Sequence, residues 1–166
     1  MEPVDQTPTE ATDYAALSLV YGSMLAALVY SAREREREPI PGAELLPLSA
    51  ATFALSKLLV HEKAETWLRQ PFLEESAEGR RPRGRRLRYV VGELMNCTRC
   101  MGTWSALGLV ALRVHSPAVG RAATTVLATS AGSDVLHSAF SLLCARATAA
   151  REAGEPRTFS GARRAA

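Results

Sequence analysis

The sequence predicts an all-α fold: a small polytopic membrane helix bundle of about four spans, with a basic loop between spans 2 and 3. The apolar residues, 47% of the chain, fall into separate blocks rather than being spread evenly. The first block has nineteen residues without a charge, and as a helix it would be about 28 Å long, close to the hydrocarbon thickness of a bilayer. The basic residues cluster between the blocks, and three cysteines without dense spacing exclude a disulfide-stapled secreted miniprotein.

The first span is predicted at Tyr14–Ala32, within an added anchor helix and loop that covers residues 14–48. It follows a polar tail, residues 1–13, with four acidic residues and no Lys or Arg. Because a signal peptide needs a basic n-region and a small-residue cleavage site, we expect an uncleaved anchor. The helix should continue through the charged run Arg33–Glu38 and stop at Pro39. A buried helix of a soluble bundle is the alternative, but the length of the run and its lack of charge favour a membrane span.

Three further spans are predicted near residues 43–60, 94–114 and 118–145. Lys57 lies near the end of the second span, where its side chain can reach the membrane surface. Asp134 lies near the middle of the fourth span and would cost roughly 2.5 to 3.5 kcal/mol there, so this helix needs protein partners. Residues 146–166 are rich in Ala, Arg and Gly and are predicted to be disordered.

The loop between spans 2 and 3 is strongly basic, with six arginines from Arg80 to Arg88. Pro82 and Gly84 argue against a helix there. Beside membrane spans, such a loop is expected to bind anionic lipid headgroups, at about 1 kcal/mol per Arg. Nucleic acid is not expected as a partner, because no aromatic residues alternate with the arginines to stack on bases.

The distribution of Lys and Arg predicts the topology. With both termini cytoplasmic, the cytoplasmic segments carry fourteen of these residues and the external segments carry five. The positive-inside rule therefore favours a multi-pass protein of a bacterial inner membrane with both ends inside. The flanks of the first span alone argue for the opposite orientation, with no basic residue before it and three after it.

Cys97-Thr98-Arg99-Cys100 forms a CxxC motif, followed by Gly102 and Trp104. On a helix, both cysteines and Trp104 would share one face. A CxxC motif can be a redox pair or half of a zinc site, although zinc normally needs a second pair. The preferred interpretation is a packing stripe in which the small cysteines accommodate the tryptophan.

The segment Gly92–Trp104 (GELMNCTRCMGTW) resembles the G-E-L-x-x-C-x-x-C-x-G-x-W core of a family of small bacterial membrane proteins, the domain of unknown function 1360. The preceding segment Ala51–Phe72 is similar to the first helix of that family and its R-x-P-F turn, here Arg69 to Phe72. The resemblance runs from about Ser49 to Ser141, which predicts a family membrane domain over residues 49–145. It implies an integral membrane protein, with no established activity or cofactor.

The fourth span carries a polar stripe at helical spacing. Its residues are Ser130, Asp134, His137, Ser141 and Cys144. An intramembrane Asp is a candidate for a proton or ion relay. Because no second span carries an acid to complete a pathway, we prefer an interhelical hydrogen bond for Asp134.

The predicted topology also places four metal-binding side chains at the cytoplasmic face. They are Cys97, Cys100, Cys144 and His61. Three thiolates and one imidazole match a structural zinc site if all four reach one point within roughly 2.0 to 2.3 Å. Shared depth often arises by chance, so we expect no cofactor and keep zinc as the alternative.

These observations predict an integral membrane protein with a structural or interaction role rather than an enzyme, acting with a membrane partner or as a homo-oligomer. The first alternative is a membrane thiol-redox or metal-binding protein that uses Cys97 and Cys100. The second is a proton- or ion-conducting oligomer that uses Asp134.

Overall fold

The computed structural model of the chain describes residues 7–34, 39–76 and 79–154. Within these ranges the chain is mainly helical, which confirms the predicted helical class, and it adds one two-stranded sheet. The helices are α1 (Ala11–Glu34), α2 (Gly42–His61), α3 (Thr66–Arg69), α4 (Leu87–Asn96), α5 (Thr98–His115) and α6 (Pro117–Gly154). The strands are β1 (Leu73–Ser76) and β2 (Gly79–Pro82), and a 3-10 turn covers Lys63–Glu65. The chain divides into two compact units, Met1–Ala131 and Gly132–Ala166.

Two of the described helices, α1 and α2, are long and apolar enough to cross a membrane, by length and composition. They coincide with the first two predicted spans. Many apolar side chains of α1 remain exposed, as on a lipid-facing helix. They include Leu19, Val20, Met24, Leu25 and Val29.

Helices α2 and α5 pack side by side in opposite directions. In the first turn of α2, Glu44 accepts hydrogen bonds from Arg113 in the last turn of α5, at 2.6 and 2.8 Å. At the other end of the pair, the His61 ring lies 3.0 Å from the Thr98 hydroxyl. Between these ends lies a central cluster of buried side chains, formed by Leu48, Ala51 and Leu109.

Helix α1 runs parallel to α5. The Tyr21 and Trp104 rings meet edge to face with centroids 5.3 Å apart. Near the end of α1, the Ser31 hydroxyl lies 3.5 Å from the ring of His115. The helices therefore have two common ends. We call the end with the start of α5 the cysteine end, and the end with the start of α2 the Glu44 end.

The first part of α6 packs on the α2–α5 pair. A Cβ atom added at Gly120 would lie 2.4 Å from the Arg113 Cα, so only glycine allows this close approach. Further along α6, Leu127 and Ala128 pack against the central cluster. The α6 helix thus starts at the Glu44 end, where α5 finishes.

The basic loop is more ordered than the sequence predicts. Strands β1 and β2 pair in antiparallel register, with Glu74 opposite Arg81 and Glu75 opposite Arg80. Opposite charges across a strand pair stabilise it, which a count of arginines alone does not reveal. The segment between β2 and α4 lacks helix and strand, and it contains Gly84 at φ +89°.

The predicted third span, near 94–114, is interrupted. Helix α4 ends at Asn96, and Cys97 has extended backbone angles of φ −112° and ψ 105° before α5 begins. The expectation that Cys97 shares a helix face with Trp104 is therefore wrong for Cys97. The fourth predicted span, 118–145, lies within α6, and this helix continues to Gly154 where disorder was expected. Residues 35–38 of the charged run and residues 155–166 lie outside the described ranges.

Candidate functional site

The site at the cysteine end is supported by a buried arginine. Arg69 is 1% exposed, and its guanidinium donates to the carbonyls of Leu59 and Glu62, each at 2.8 Å. These carbonyls belong to Leu59 in the last turn of α2, where helix carbonyls lack a helical donor, and to Glu62 just after it, which also accepts from the Glu65 backbone N–H at 3.4 Å. Arg69 also lies 3.8 Å from the Glu75 carboxylate. The arginine of the R-x-P-F turn is thus a cap for the end of α2.

The remainder of that turn positions α4. The Pro71 carbonyl accepts hydrogen bonds from the Arg88 guanidinium at 2.9 and 2.6 Å. The Phe72 carbonyl accepts from the Arg83 backbone N–H at 2.7 Å. A Cβ atom added at Gly92 would lie 2.6 Å from this same Phe72 oxygen. The glycine that opens the GEL segment is therefore required by the close approach of α4 to the turn.

Other arginines of the basic loop also bind protein groups. Arg80 donates to the Val60 carbonyl, so it provides a second cap for α2. Arg86 pairs with Glu10 and, at 3.2 Å, with Asp13 in the first turn of α1. Arg88 also donates to a protein group, the Pro71 carbonyl. Protein groups therefore bind at least three of the six arginines, namely Arg80, Arg86 and Arg88. The expected binding of anionic lipid at Arg80–Arg88 stays a prediction.

The two cysteines of the CxxC motif touch each other. Cys97 is the N-cap of α5, and its sulfur accepts a hydrogen bond from the Cys100 backbone N–H at 3.3 Å. The Cys100 thiol donates to the same sulfur, with the two Sγ atoms 2.6 Å apart. Both cysteines are free thiols and only partly buried. This places a reduced, accessible dithiol at a helix N-terminus.

The surroundings give the two thiols different acidities. Burial raises the pKa of the Cys97 thiol, but hydrogen bonds from Cys100 and from backbone N–H groups, together with the Arg99 charge, outweigh it and lower the pKa overall. Burial and donation to Cys97 raise the pKa of Cys100 to about 11. The thiolate is the nucleophile in thiol chemistry, so Cys97 is the reactive member of the pair.

An apolar cavity of about 310 Å³ lies on the Cys100 side of the dithiol, between α1, α4 and α5. Aromatic and aliphatic side chains dominate its lining, which includes Tyr14, Leu17, Tyr21, Val90, Cys100 and Trp104. Glu93 adds a carboxylate at its wall, where the Tyr14 hydroxyl donates to it.

A second cavity of about 830 Å³ lies on the Cys97 side. Its lining combines polar and apolar surface, and two arginines, Arg80 and Arg81, lie in it together with Tyr89, Asn96 and the Cys97 thiol. Glu93 lines both cavities. The dithiol therefore stands between an apolar space and a basic one.

Packing contacts explain Trp104 of the motif but not Gly102. Trp104 packs on Tyr21 and closes the apolar cavity. A Cβ atom added at Gly102 would meet nothing within 4 Å. Packing thus accounts for the tryptophan, and nothing in the structure explains the glycine.

The polar stripe of α6 crosses from one compact unit into the other. Ser130 is exposed and belongs to the unit Met1–Ala131. Within Gly132–Ala166, Asp134 is half-buried, whereas His137 and Ser141 are exposed. The roles expected for these residues stay predictions.

In residues 7–34, 39–76 and 79–154, no three or more His, Cys, Asp or Glu side chains are grouped to hold a metal ion. His61 contacts Thr98 instead. Cys144 is exposed and lies in the other unit from Cys97 and Cys100. The zinc site that would use all four residues stays a prediction.

The sequence singled out the two thiols and Trp104 but not the groups around them. The sequence pattern assigns Tyr14 to a membrane anchor and Glu93 only to the GEL segment of the motif. These two residues lie 79 positions apart, and no local pattern reports a contact over that distance.

The chain is therefore a small helical protein that combines two helices of membrane length with a CxxC motif at the start of another helix, α5. This chain belongs to the DUF1360 family of proteins of unknown function, whose family model matches residues 47–140. That membership confirms the expected family, and the match starts within α2, so α1 precedes it. No curated protein and no solved structure matches the chain.

Proposed function

We propose that this chain is a multi-pass protein of a bacterial inner membrane whose Cys97–Cys100 pair is a reversible dithiol at the cytoplasmic face. The contact between the two sulfurs at the start of α5, 2.6 Å apart, carries this proposal. A CxxC pair at a helix N-terminus, with one thiol acidified, is the arrangement that thiol–disulfide exchange uses.

Membrane placement is supported by the alignment of helices. If α1 and α2 cross the membrane, α5 lies at the same depth, because it pairs with α2 from the Glu44 end to the cysteine end. The apolar run Met101–Leu112 of α5 then lies within the membrane, with both cysteines just beyond it on the side of the cysteine end. A crossing by residues 118–145 of α6 completes four spans.

The charges at the two ends support the orientation. The cysteine end carries the six arginines from Arg80 to Arg88, whereas among the described residues the Glu44 end carries Arg33, Arg113 and Arg121. The positive-inside rule then assigns the cysteine end to the cytoplasm. The start of α1 is at this end, and a fourth span would return the C-terminus to it, so both termini are cytoplasmic.

A dithiol accounts for what a packing role does not. Packing explains Arg69, Gly92 and Trp104, whose neighbours leave little room for other residues. It does not require two partly exposed thiols in contact, since a buried pair of small residues would fill space as well.

The structural or interaction role expected from the sequence is the second candidate. It is supported by the exposed apolar side chains of α6, such as Val135, Leu136 and Phe140, which suit a membrane partner or a second copy. The ion-conducting alternative with Asp134 stays a prediction.

The test is a redox titration of the Cys144→Ser variant in lipid nanodiscs, which keeps only the two motif cysteines. The protein is equilibrated with reduced and oxidised glutathione mixtures, and free thiols are trapped with a maleimide that shifts the band on a gel. A reversible two-electron transition is expected, and Cys97→Ser should abolish it. Absence of an intramolecular disulfide at every glutathione ratio, and also with diamide, would exclude the dithiol function.

A further inference from the structure

The dithiol lies between two different cavities, an apolar one beside Cys100 and one with two arginines beside Cys97. This difference suggests which substrate reacts at each sulfur, and hence the direction of electron transfer. We propose that the pair passes two electrons from a small carboxylate-bearing thiol, which reacts at Cys97, to a membrane quinone in the apolar cavity beside Cys100. The inference rests on the proposed dithiol function and adds its two substrates.

The apolar cavity suits a quinone ring. Its volume, about 310 Å³, lies at the lower end of the range for small-molecule sites. Tyr14, Tyr21 and Trp104 provide aromatic walls, and the two latter rings are already packed edge to face. The cavity borders α1, whose apolar surface faces lipid in the proposed orientation. A molecule that takes up two electrons and two protons and is dissolved in lipid is a quinone.

Glu93 and Tyr14 supply the polar groups that such a ring needs. The Tyr14 hydroxyl donates to the Glu93 carboxylate at the cavity wall. A carboxylate placed between both cavities can take the proton of the Cys100 thiol and return it to a quinone oxygen. Because Cys100 is the less acidic thiol, a nearby base is what its reaction requires.

The chemistry balances in two steps. Glu93 removes the Cys100 proton as the sulfur bonds to the quinone ring, and the proton passes to a ring oxygen. The Cys97 thiolate then attacks the Cys100 sulfur, which forms the S–S bond and breaks the bond from that sulfur to the ring. The ring takes up a second proton from water, equal to the one that Cys97 gave to water on ionising, and leaves as quinol. Two thiols and one quinone thus become one disulfide and one quinol.

The basic cavity suits the electron donor. Arg80 and Arg81 line it together with Cys97, and although Glu75 pairs with Arg80, these two guanidinium groups outnumber Glu93, the one carboxylate of the lining, so the cavity attracts a thiol that carries carboxylates. Two molecules of this thiol reduce the Cys97–Cys100 disulfide by successive exchange. The net reaction oxidises two small thiols and reduces one quinone.

The quinone half is tested with the Cys144→Ser protein in nanodiscs, using decylubiquinone as the probe. One quinol per reduced pair is expected, measured by absorbance and by thiol trapping. Leu17→Trp places an indole in the cavity and should slow oxidation by the quinone at least tenfold, while oxidation by diamide is unchanged. Leu19→Trp is the matched control on the exposed side of α1 and should behave like the parent.

Two results would overturn the quinone site: no reaction with decylubiquinone although diamide forms the disulfide reversibly, or equal quinone rates in Leu17→Trp and the parent. Neither result touches the dithiol function, which fails only if diamide and glutathione form no disulfide. Tyr14→Phe is a second variant in case the tryptophan disturbs folding. It should also slow the quinone reaction and keep the diamide rate.

The proposed site for the electron-donating thiol is tested by reversing the charge of an arginine in its lining. Arg81→Glu should slow reduction of the oxidised pair by glutathione and leave reduction by uncharged 2-mercaptoethanol unchanged. Arg121→Glu, at the Glu44 end, is the control and should change neither rate. Equal slowing with both thiols in Arg81→Glu would contradict a site for carboxylates.

Discussion

Arg113 and Glu44 join the end of α5 to the start of α2 through two parallel hydrogen bonds, of 2.6 and 2.8 Å. Paired guanidinium–carboxylate contacts fix orientation as well as distance. Since His61 and Thr98 meet at the opposite end, the two contacts set the antiparallel register of the pair over its whole length.

The first prediction concerns this register. Arg113→Leu and Glu44→Gln should each lower the thermal midpoint in detergent, and the double variant should lose no more than the worse single variant, because each change removes the same contact. Thermal unfolding followed by circular dichroism measures this. Fully additive losses would show that the two side chains act independently.

The second prediction compares two glycines. Gly92→Ala should destabilise the protein by about 1 to 3 kcal/mol, because the new methyl group would lie 2.6 Å from the Phe72 carbonyl oxygen. Gly102→Ala is the matched control within the same motif. No atom lies within 4 Å of its added Cβ, and alanine favours the helix, so stability should be unchanged or higher by up to about 1 kcal/mol. Chemical denaturation of both variants tests the difference, and equal losses would contradict the packing.

The third prediction concerns the buried arginine. Arg69→Met should cost about 1 to 3 kcal/mol, since the carbonyls of Leu59 and Glu62 lose the buried guanidinium that donates to them, whereas Glu75 is exposed and keeps its contact with Arg80. The exposed Arg85 is the control, and Arg85→Met should change stability by less than about 0.5 kcal/mol. Urea unfolding monitored by tryptophan fluorescence distinguishes them. A small loss for Arg69→Met would mean that α2 does not depend on this cap.

The fourth prediction is a difference in thiol reactivity. The pKa of Cys97 lies below that of an ordinary thiol and the pKa of Cys100 is about 11, so iodoacetamide should label Cys97 first. As pH rises, labelling of Cys97 should increase before that of Cys100, because only the thiolate reacts. Peptide mass spectrometry after short exposures gives both rates. Cys100→Ala removes the thiol donor and provides the check: a faster Cys97 reaction in this variant at neutral pH would contradict stabilisation by the Cys100 thiol.

The fifth prediction is topological. Reporters fused to either end should report the cytoplasm, and a membrane-impermeant maleimide should label Cys97 in inverted vesicles but not in intact spheroplasts. A cysteine introduced at Ser116, in the Cys144→Ser background, provides the opposite control at the Glu44 end. Labelling of Cys97 from the outside would reverse the orientation.

Local patterns predicted α1 and α2 well, because an uncharged run of membrane length is a property of neighbouring residues. The break at Cys97 was not predictable in the same way. Thr98 and Arg99 suit a continuing helix, and a cysteine is not among the usual cap residues. Its capping role depends on the N–H of Cys100 reaching back to its sulfur.

The basic loop illustrates the other limit of sequence reasoning. Composition identified the arginines, but the partners of Arg80 and Arg88 are the carbonyls of Val60 and Pro71. Backbone atoms carry no residue-specific signal, so these contacts appear only once the chain is folded. The Tyr14–Glu93 contact and the cavity behind it depend in the same way on α1 returning to α4.

Both ends of helix α2 bind an arginine. Arg113 donates to the Glu44 carboxylate at its start, and Arg69 donates to the Leu59 carbonyl near its end. The attachments at Glu44 and Leu59 lie fifteen residues apart, which is about 23 Å along the helix axis and less than one hydrocarbon thickness. Because Arg113 and Thr98 of α5 contact Glu44 and His61 at opposite ends of α2, the helix cannot slide along its axis relative to α5. In a thicker or thinner bilayer, the adjustment must come from tilting the helices together or from deforming the lipid. The cysteine end would then keep its own geometry while its height above the membrane changes.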